Sequence, residues 1–193
     1  MGKLIRLRGT TIARPADATA YAAGDEISNS ASAGSVVRAV FDLSGFTRGR
    51  ILTAGIDITV PAGTVVTTAS DMELMLFKAS DVPAAVGDNV TNPIQAATRS
   101  LAAGIFRFDD TGWTDTLGGA TATISQYQEV GAHMVQPLAA NVLQSPWYPG
   151  YAFDFSGQSL ANRSLSVVLR ALAAWTPLAV VNTIGLTLSI ETD

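Results

Sequence analysis

From residue 183 to 191 every second side chain is apolar: Ile184, Leu186, Leu188 and Ile190 alternate with Thr183, Gly185, Thr187, Ser189 and Glu191. A period of two puts neighbouring side chains on opposite sides of an extended chain. The run therefore predicts a strand with one buried face, and it excludes an amphipathic helix. The same period recurs upstream. Segment 36–43 sets Val37, Ala39, Phe41 and Leu43 on one face, and 50–60 is anchored by Ile51, Ile56, Ile58 and Val60. Segments 73–79, 104–108, 121–129, 151–155 and 164–173 read as further strands, with a short edge strand at 64–68. Turn signals separate them: 45–49, Pro61-Ala62-Gly63, a loop over 81–93, a loop around Trp113 over 109–119, and the Pro-rich 145–150. Only 135–144 reads as a short helix, and 15–35, rich in Ala, Ser, Asp and Gly, reads as a long surface segment. About eight turn-separated strands without a sustained helical period predict an all-β protein, an antiparallel β-sandwich of jelly-roll-like form.

A length of 193 residues fits one domain. Residues 1–15 carry Leu4, Ile5, Leu7 and Ile12 among Lys3, Arg6, Arg8 and Arg14. They read as an extended N-terminal arm or an edge strand, ahead of a single β-sandwich domain over 16–193. These four positive charges all precede the first acid, Asp17, so a basic terminus adjoins an acidic body. The net charge of −4 offers no basic excess, and nucleic acid is not expected as a partner. The richest apolar stretch, 167–181, is broken by Arg170 and Pro177, so no membrane span is expected. The first fifteen residues lack the apolar run of a signal peptide, and Arg6 breaks the myristoylation pattern after Gly2. Charged residues make up 15% of the chain, against about 25% in ordinary soluble domains. So sparse a charge suggests a surface covered by further copies or by a partner.

The residues that carry chemistry are few. There is no cysteine, which removes disulfides, thiolate nucleophiles and thiolate-bound metals. The one histidine, His133, has no G-x-S-x-G serine to serve. Asp109, Asp110, Gly112 and Asp115 form an acidic loop whose spacing departs from the EF-hand pattern and reads as a solvated turn. Asp109, Glu129 and Asp154 include possible carboxylate pairs, but nothing singles one out for glycoside hydrolysis. Arg48 and Arg50 around Gly49 read as a turn, and phosphate-cradling motifs are absent. No cofactor, no metal site and no catalytic residue is expected. Trp147, Tyr148 and Tyr151 gather around Pro146, Pro149 and Gly150. Such aromatics can stack on sugar rings, plug the core or anchor a subunit interface.

Several segments, taken in order, resemble small virion proteins of tailed bacteriophages. Thr19-Ala20-Tyr21-Ala22-Ala23-Gly24-Asp25 is similar to an opening segment of that group. Leu74-Met75-Leu76-Phe77, followed by Pro83 and Asp88-Asn89, resembles a second. Residues 165–171, Trp175-Thr176-Pro177 and 183–191 resemble its final pair of strands, while 102–150 shows no likeness. The resemblance implies a capsid decoration (cement) protein: a β-sandwich, often a homotrimer, bound to the outside of the head lattice. Its partners would be the major capsid protein and further copies of itself, and its place the capsid exterior of the virion, after synthesis in the host cytoplasm. It carries no catalytic residues. The expected contact residues are Lys3, Leu4, Ile5, Arg6, Leu7, Arg8, Ile12 and Arg14, with Trp147 and Tyr148. A tail, baseplate or fibre component, one that could bind glycans through Trp147, Tyr148 and Tyr151, is the alternative. A glycan hydrolase is the remaining one.

Overall fold

A computed structural model describes residues 2–61, 64, 69–115, 123–129 and 150–192. In chain order the strands are β1 (Lys3–Arg8), β2 (Ile12–Arg14), β3 (Asp25–Glu26), β4 (Val40–Asp42), β5 (Arg48–Thr59), β6 (Met72–Lys78) and β7 (Val90–Thr91). There follow β8 (Gly104–Phe108), β9 (Thr114–Asp115), β10 (Thr123–Glu129), β11 (Tyr151–Asp154), β12 (Ser164–Ala171) and β13 (Asn182–Thr192). One short helix, α1 (Ala96–Arg99), lies between β7 and β8. The strands form two antiparallel sheets. The first runs β1-β13-β5-β10-β9, with β2 also on β13 and β11 also on β5; the second runs β7-β3-β12-β6-β8, with β4 also on β12. The chain is an all-β sandwich, as the alternation predicts.

Alternation builds the core directly. In β13, Ile184, Leu186, Leu188 and Ile190 point inward and are buried, and from the second sheet Phe41, Met72, Leu74, Leu76, Leu165, Val167 and Leu169 meet them. In β5 the apolar residues change parity, from Ile51 to Ala54, Ile56 and Ile58. A β-bulge resolves this. Ser189 pairs with Thr53 but Ile190 pairs with Ile51, so Leu52 is the extra residue and both runs face the core.

One open alternative is decided and three sequence readings change. Residues 3–8 form an edge strand of the first sheet, because Ile5 and Leu7 pair with Ile190 and Leu188 and lean toward the core. Segment 36–43 is laddered only over Val40–Asp42; Val37 is 73% exposed, and its amide donates to Asn29 Oδ1 instead of to a strand. The 15–35 stretch is only in part a surface segment: Tyr21, Asp25, Glu26, Ile27 and Ser28 are buried, while 18–20 and 31–35 are exposed. The 81–93 loop contains β7 and the buried Asp88 and Asn92. The helix expected at 135–144, and most of the 64–68 strand, lie outside the described residues.

Candidate interaction surface

The two outer faces of the sandwich differ in what lies on them. On the second sheet β6 is buried on both sides. Met75, Phe77 and Val168 turn away from the main core and pack with Val82, Ile94, Ala102 and Ile105. The same face carries a cross-strand row of alternating charge. Arg170 pairs with Glu26 on one side and Glu73 on the other, and Glu73 pairs in turn with Arg107. Glu73 is fully buried and accepts from Arg99 over 2.7 and 2.6 Å, from Arg170 over 2.8 Å and from Arg107 over 3.3 Å. Burial opposes its charge, yet the hydrogen bonds from Arg99 and Arg170 outweigh burial and hold its carboxyl below the usual glutamate range. For Glu26 the balance tips the other way. Burial raises its pKa despite the 2.7 Å ion pair with Arg38 and the bond from Asn92. Much of this chain's scarce charge is thus spent inside, where bare carboxylates would be costly without their guanidinium partners.

A second buried cluster holds the N-terminal segment. Arg14 is fully buried; its Nε donates to the Tyr21 hydroxyl over 2.7 Å, and its guanidinium also binds Asp17 over 2.9 Å. Tyr21 donates to Asp88 Oδ1 over 2.6 Å and stacks on Trp175, with ring centroids 5.4 Å apart. Burial pushes the Tyr21 phenol well above its ordinary range, and burial likewise raises Asp88.

The outer face of the first sheet is different: no described segment covers it. Across β13 and β5 it carries small and hydroxyl side chains: Thr53, Thr183, Gly185 and Ser189 are half-buried, and Gly55 and Thr187 are buried beside Tyr127. Tyr127 lies across Gly55, where a methyl would collide with its ring and with the Thr187 hydroxyl. This close approach is what an isolated glycine within a strand pattern signals. Arg6 reaches over the sheet to donate to the Tyr127 hydroxyl at 2.9 Å, with its guanidinium 5.3 Å from the ring centroid. Ser125 donates to Asp57 Oδ1 at 2.6 Å, and the Tyr127 hydroxyl lies 3.4 Å from the same oxygen. β1 closes this sheet on one side, and its outer edge pairs with no described strand.

The expected contact residues therefore separate. Lys3, Leu4, Arg6 and Arg8 are exposed on the edge strand, Leu4 at 68%. Ile5 and Leu7 are half-buried against the core. Ile12 and Arg14 are corrected: β2 pairs with β13 in the first sheet, and both side chains are buried within their own chain, so neither is a surface contact. Trp147, Tyr148 and His133 lie outside the described residues. Tyr151 is half-buried, packs edge-on against Phe106 and donates to the Ile105 carbonyl, so it is no open stacking platform. The amide of Asp110 donates to Asp71 Oδ1 over 2.7 Å, which ties the acidic loop to the neighbouring strand connection. Among the described residues no group of acids or histidines is arranged to hold a metal ion. Tyr127 and Asp57 escaped the sequence reading; the glycine at 55 was the signal available.

No family model matches the chain, and no curated protein matches it. Among solved structures it is similar to a nodavirus semi-empty virus-like particle from the giant freshwater prawn Macrobrachium rosenbergii, at 13% identity and a TM-score of 0.30, covering 100% of this chain and 93% of that one. It is also similar to turnip yellow mosaic virus, at 15% identity and a TM-score of 0.25, with the same coverage. Overlap this low assigns the chain no role.

Proposed function

We propose that this chain is a non-enzymatic structural protein of a bacteriophage particle. In this reading it is a decoration protein that binds the outside of the capsid lattice as a homotrimer and bridges neighbouring major capsid proteins. The strand order supports a jelly roll. If β1, β4, β5, β6, β8, β10, β12 and β13 are counted one to eight, the first sheet runs one-eight-three-six and the second two-seven-four-five. Two interlocked Greek keys produce that order, and viral capsid domains are among the proteins built on it. Architecture alone sets no function, so the surface has to carry the rest.

The observation that carries it is β1. A strand with an open edge, exposed basic side chains and an exposed leucine, in a chain otherwise short of charge, is suited to strand addition against an acidic protein surface. The basic residues also keep two such edges from pairing with each other. Arg6 is turned over the sheet to Tyr127, which leaves Lys3, Leu4 and Arg8 for the partner. Many weak contacts repeated over a lattice would add up through avidity.

The test is to mix the purified protein with phage capsids that lack it. The wild type should coat them and raise their rupture temperature, and the double variant Lys3→Glu/Arg8→Glu should bind at least tenfold more weakly. Sedimentation of the free protein tests the trimer. A wild-type protein that leaves the capsids bare would sink the reading.

A further inference from the structure

We infer that the partner at β1 is an extended strand, apolar on its inner side and acidic at each end, which adds antiparallel along residues 3–8. The inference rests on the decoration reading's choice of β1 as the contact and deepens it, because it specifies what the partner strand must offer. The Gly9 amide donates to the Leu186 carbonyl, one step beyond the Arg8–Thr187 pair, so Gly9 and Leu186 form a hydrogen-bonded pair of this ladder. Such pairs alternate along antiparallel strands. Lys3, Ile5 and Leu7 therefore turn their backbone groups to β13, while Leu4, Arg6 and Arg8 turn theirs to the open edge. The next residue in that phase, Thr10, gives its amide to the Val40 carbonyl, so the free row ends at Arg8. A row of N–H and C=O groups without a described partner is a template for one more strand.

The side chains of β1 decide which strand fits. Residues directly opposite each other share a face of the sheet, so the partner's side chains must match those of β1 position by position. Ile5 and Leu7 lean inward and are only half-buried. Apolar residues opposite them would widen the core by one strand and take both out of water. Lys3 and Arg8 are exposed and have no hydrogen-bond or ion-pair partner among the described residues, and each suits an acid. Arg6 is already held by the Tyr127 hydroxyl, so a small polar residue suffices opposite it. Leu4, 68% exposed, suits a leucine. From its N-terminus the fitting strand therefore reads acid, apolar, small polar, apolar, leucine, acid, against Arg8 through Lys3. An acidic loop or helix would answer the charges but leave the backbone row and both half-buried side chains unmatched.

The experiment follows the fluorescence anisotropy of the labelled peptide Gly-Ser-Glu-Val-Thr-Val-Leu-Glu-Gly-Ser as the full-length protein is added. Binding should saturate, and 15N spectra should place the shifts in β1 and along β13. Methylating the backbone nitrogen of the threonine, whose N–H faces Arg6, should weaken binding at least tenfold. Methylating that of the valine opposite Ile5, whose N–H points away, should change it only slightly. Lysine in place of both glutamates should also cost at least tenfold. In the protein, Leu4→Pro deletes an outward N–H and spares the bonds to β13, as edge strands allow, and it should bind several-fold more weakly. If that variant fails to fold, the paired methylations still decide. No binding, equal effects of the two methylations, or shifts away from β1 would overturn the inference. Capsids coated by a protein that ignores the peptide would end this inference and leave the decoration reading standing. A bound peptide with capsids left bare would do the reverse.

Discussion

Tyr21 and Asp88 share a 2.6 Å hydrogen bond across 67 residues of sequence, and it ties the N-terminal segment to the loop before β7. The Tyr21 oxygen also accepts from Arg14, while Asp88 Oδ1 accepts the Ser28 amide as well. Asp88 Oδ2 has no hydrogen-bond partner, and its nearest cation is Arg14 at 3.7 Å. Tyr21→Phe keeps the stack on Trp175 and removes only the hydroxyl. It strips a buried carboxylate of one donor and a buried guanidinium of one acceptor, so it should cost about 1–3 kcal/mol. A urea titration that returned the wild-type midpoint would contradict this.

Glu73 faces three guanidinium groups from three separate elements: Arg99 of α1, Arg107 of β8 and Arg170 of β12. Glu73→Gln preserves shape but leaves buried cations without a countercharge, and it should cost about 3–5 kcal/mol. The pair Arg48–Asp154 is 3.2 Å long but more than half exposed at both ends. Arg48→Ala should therefore stay within about 0.5 kcal/mol of the wild type. Denaturant melts of the two variants side by side check the ranking; similar losses would mean that the buried row is not what holds the 79–103 segment to its sheet.

The sandwich was legible in the sequence because a strand with one buried face prints its geometry as alternation. Residues 104–108, and 183–191 to within one position at each end, are found where the period puts them. What stayed hidden depends on polar partners distant in sequence. Nothing local marks Tyr21, Glu26 or Asp88 as buried, since each is stabilised inside by a residue from another segment: Arg14, Arg38 or Asn92. Alternation in 36–43 overstated the strand for a related reason, because Asn29 takes the Val37 amide. The site was harder still. The basic run at the N-terminus was visible as charge, but only the register with β13 separates exposed Arg6 and Arg8 from buried Arg14. Tyr127 gains its meaning from Gly55 on the neighbouring strand and from Arg6, three strands away across the sheet.

Acid should act on these clusters in opposite senses. Glu26 and Asp88 have raised pKa values in the folded state, so the folded protein binds the extra proton first. Their contribution to stability grows as pH falls from neutrality toward their ordinary values of 4.5 and 3.8. Glu73 is lowered, so its contribution is present above its ordinary value of 4.5 and is lost as pH drops below it toward the folded value. The melting temperature should accordingly peak on the mildly acidic side of neutrality and then fall. Glu73→Gln should flatten that acid limb relative to the wild type. Parallel acid limbs in the two proteins would show that other carboxylates drive the loss.

Truncation separates the two parts of the N-terminal segment. Removing 2–9 takes away an edge strand whose side chains are exposed or half-buried. The shortened protein should fold, melt cooperatively at a lower temperature and lose capsid binding. Removing 2–14 also takes Ile12 from the core and Arg14 from its cluster, leaving the Tyr21 hydroxyl and Asp88 buried without their cation. Loss of a buried countercharge costs about 3–5 kcal/mol and loss of a buried isoleucine about 2–5 kcal/mol. Together these approach the whole stability of an ordinary domain, about 5–15 kcal/mol. The longer truncation should therefore show no cooperative melt by circular dichroism. A well-folded product lacking 2–14 would mean that the Arg14 cluster is dispensable and that the basic terminus behaves as a detachable arm after all.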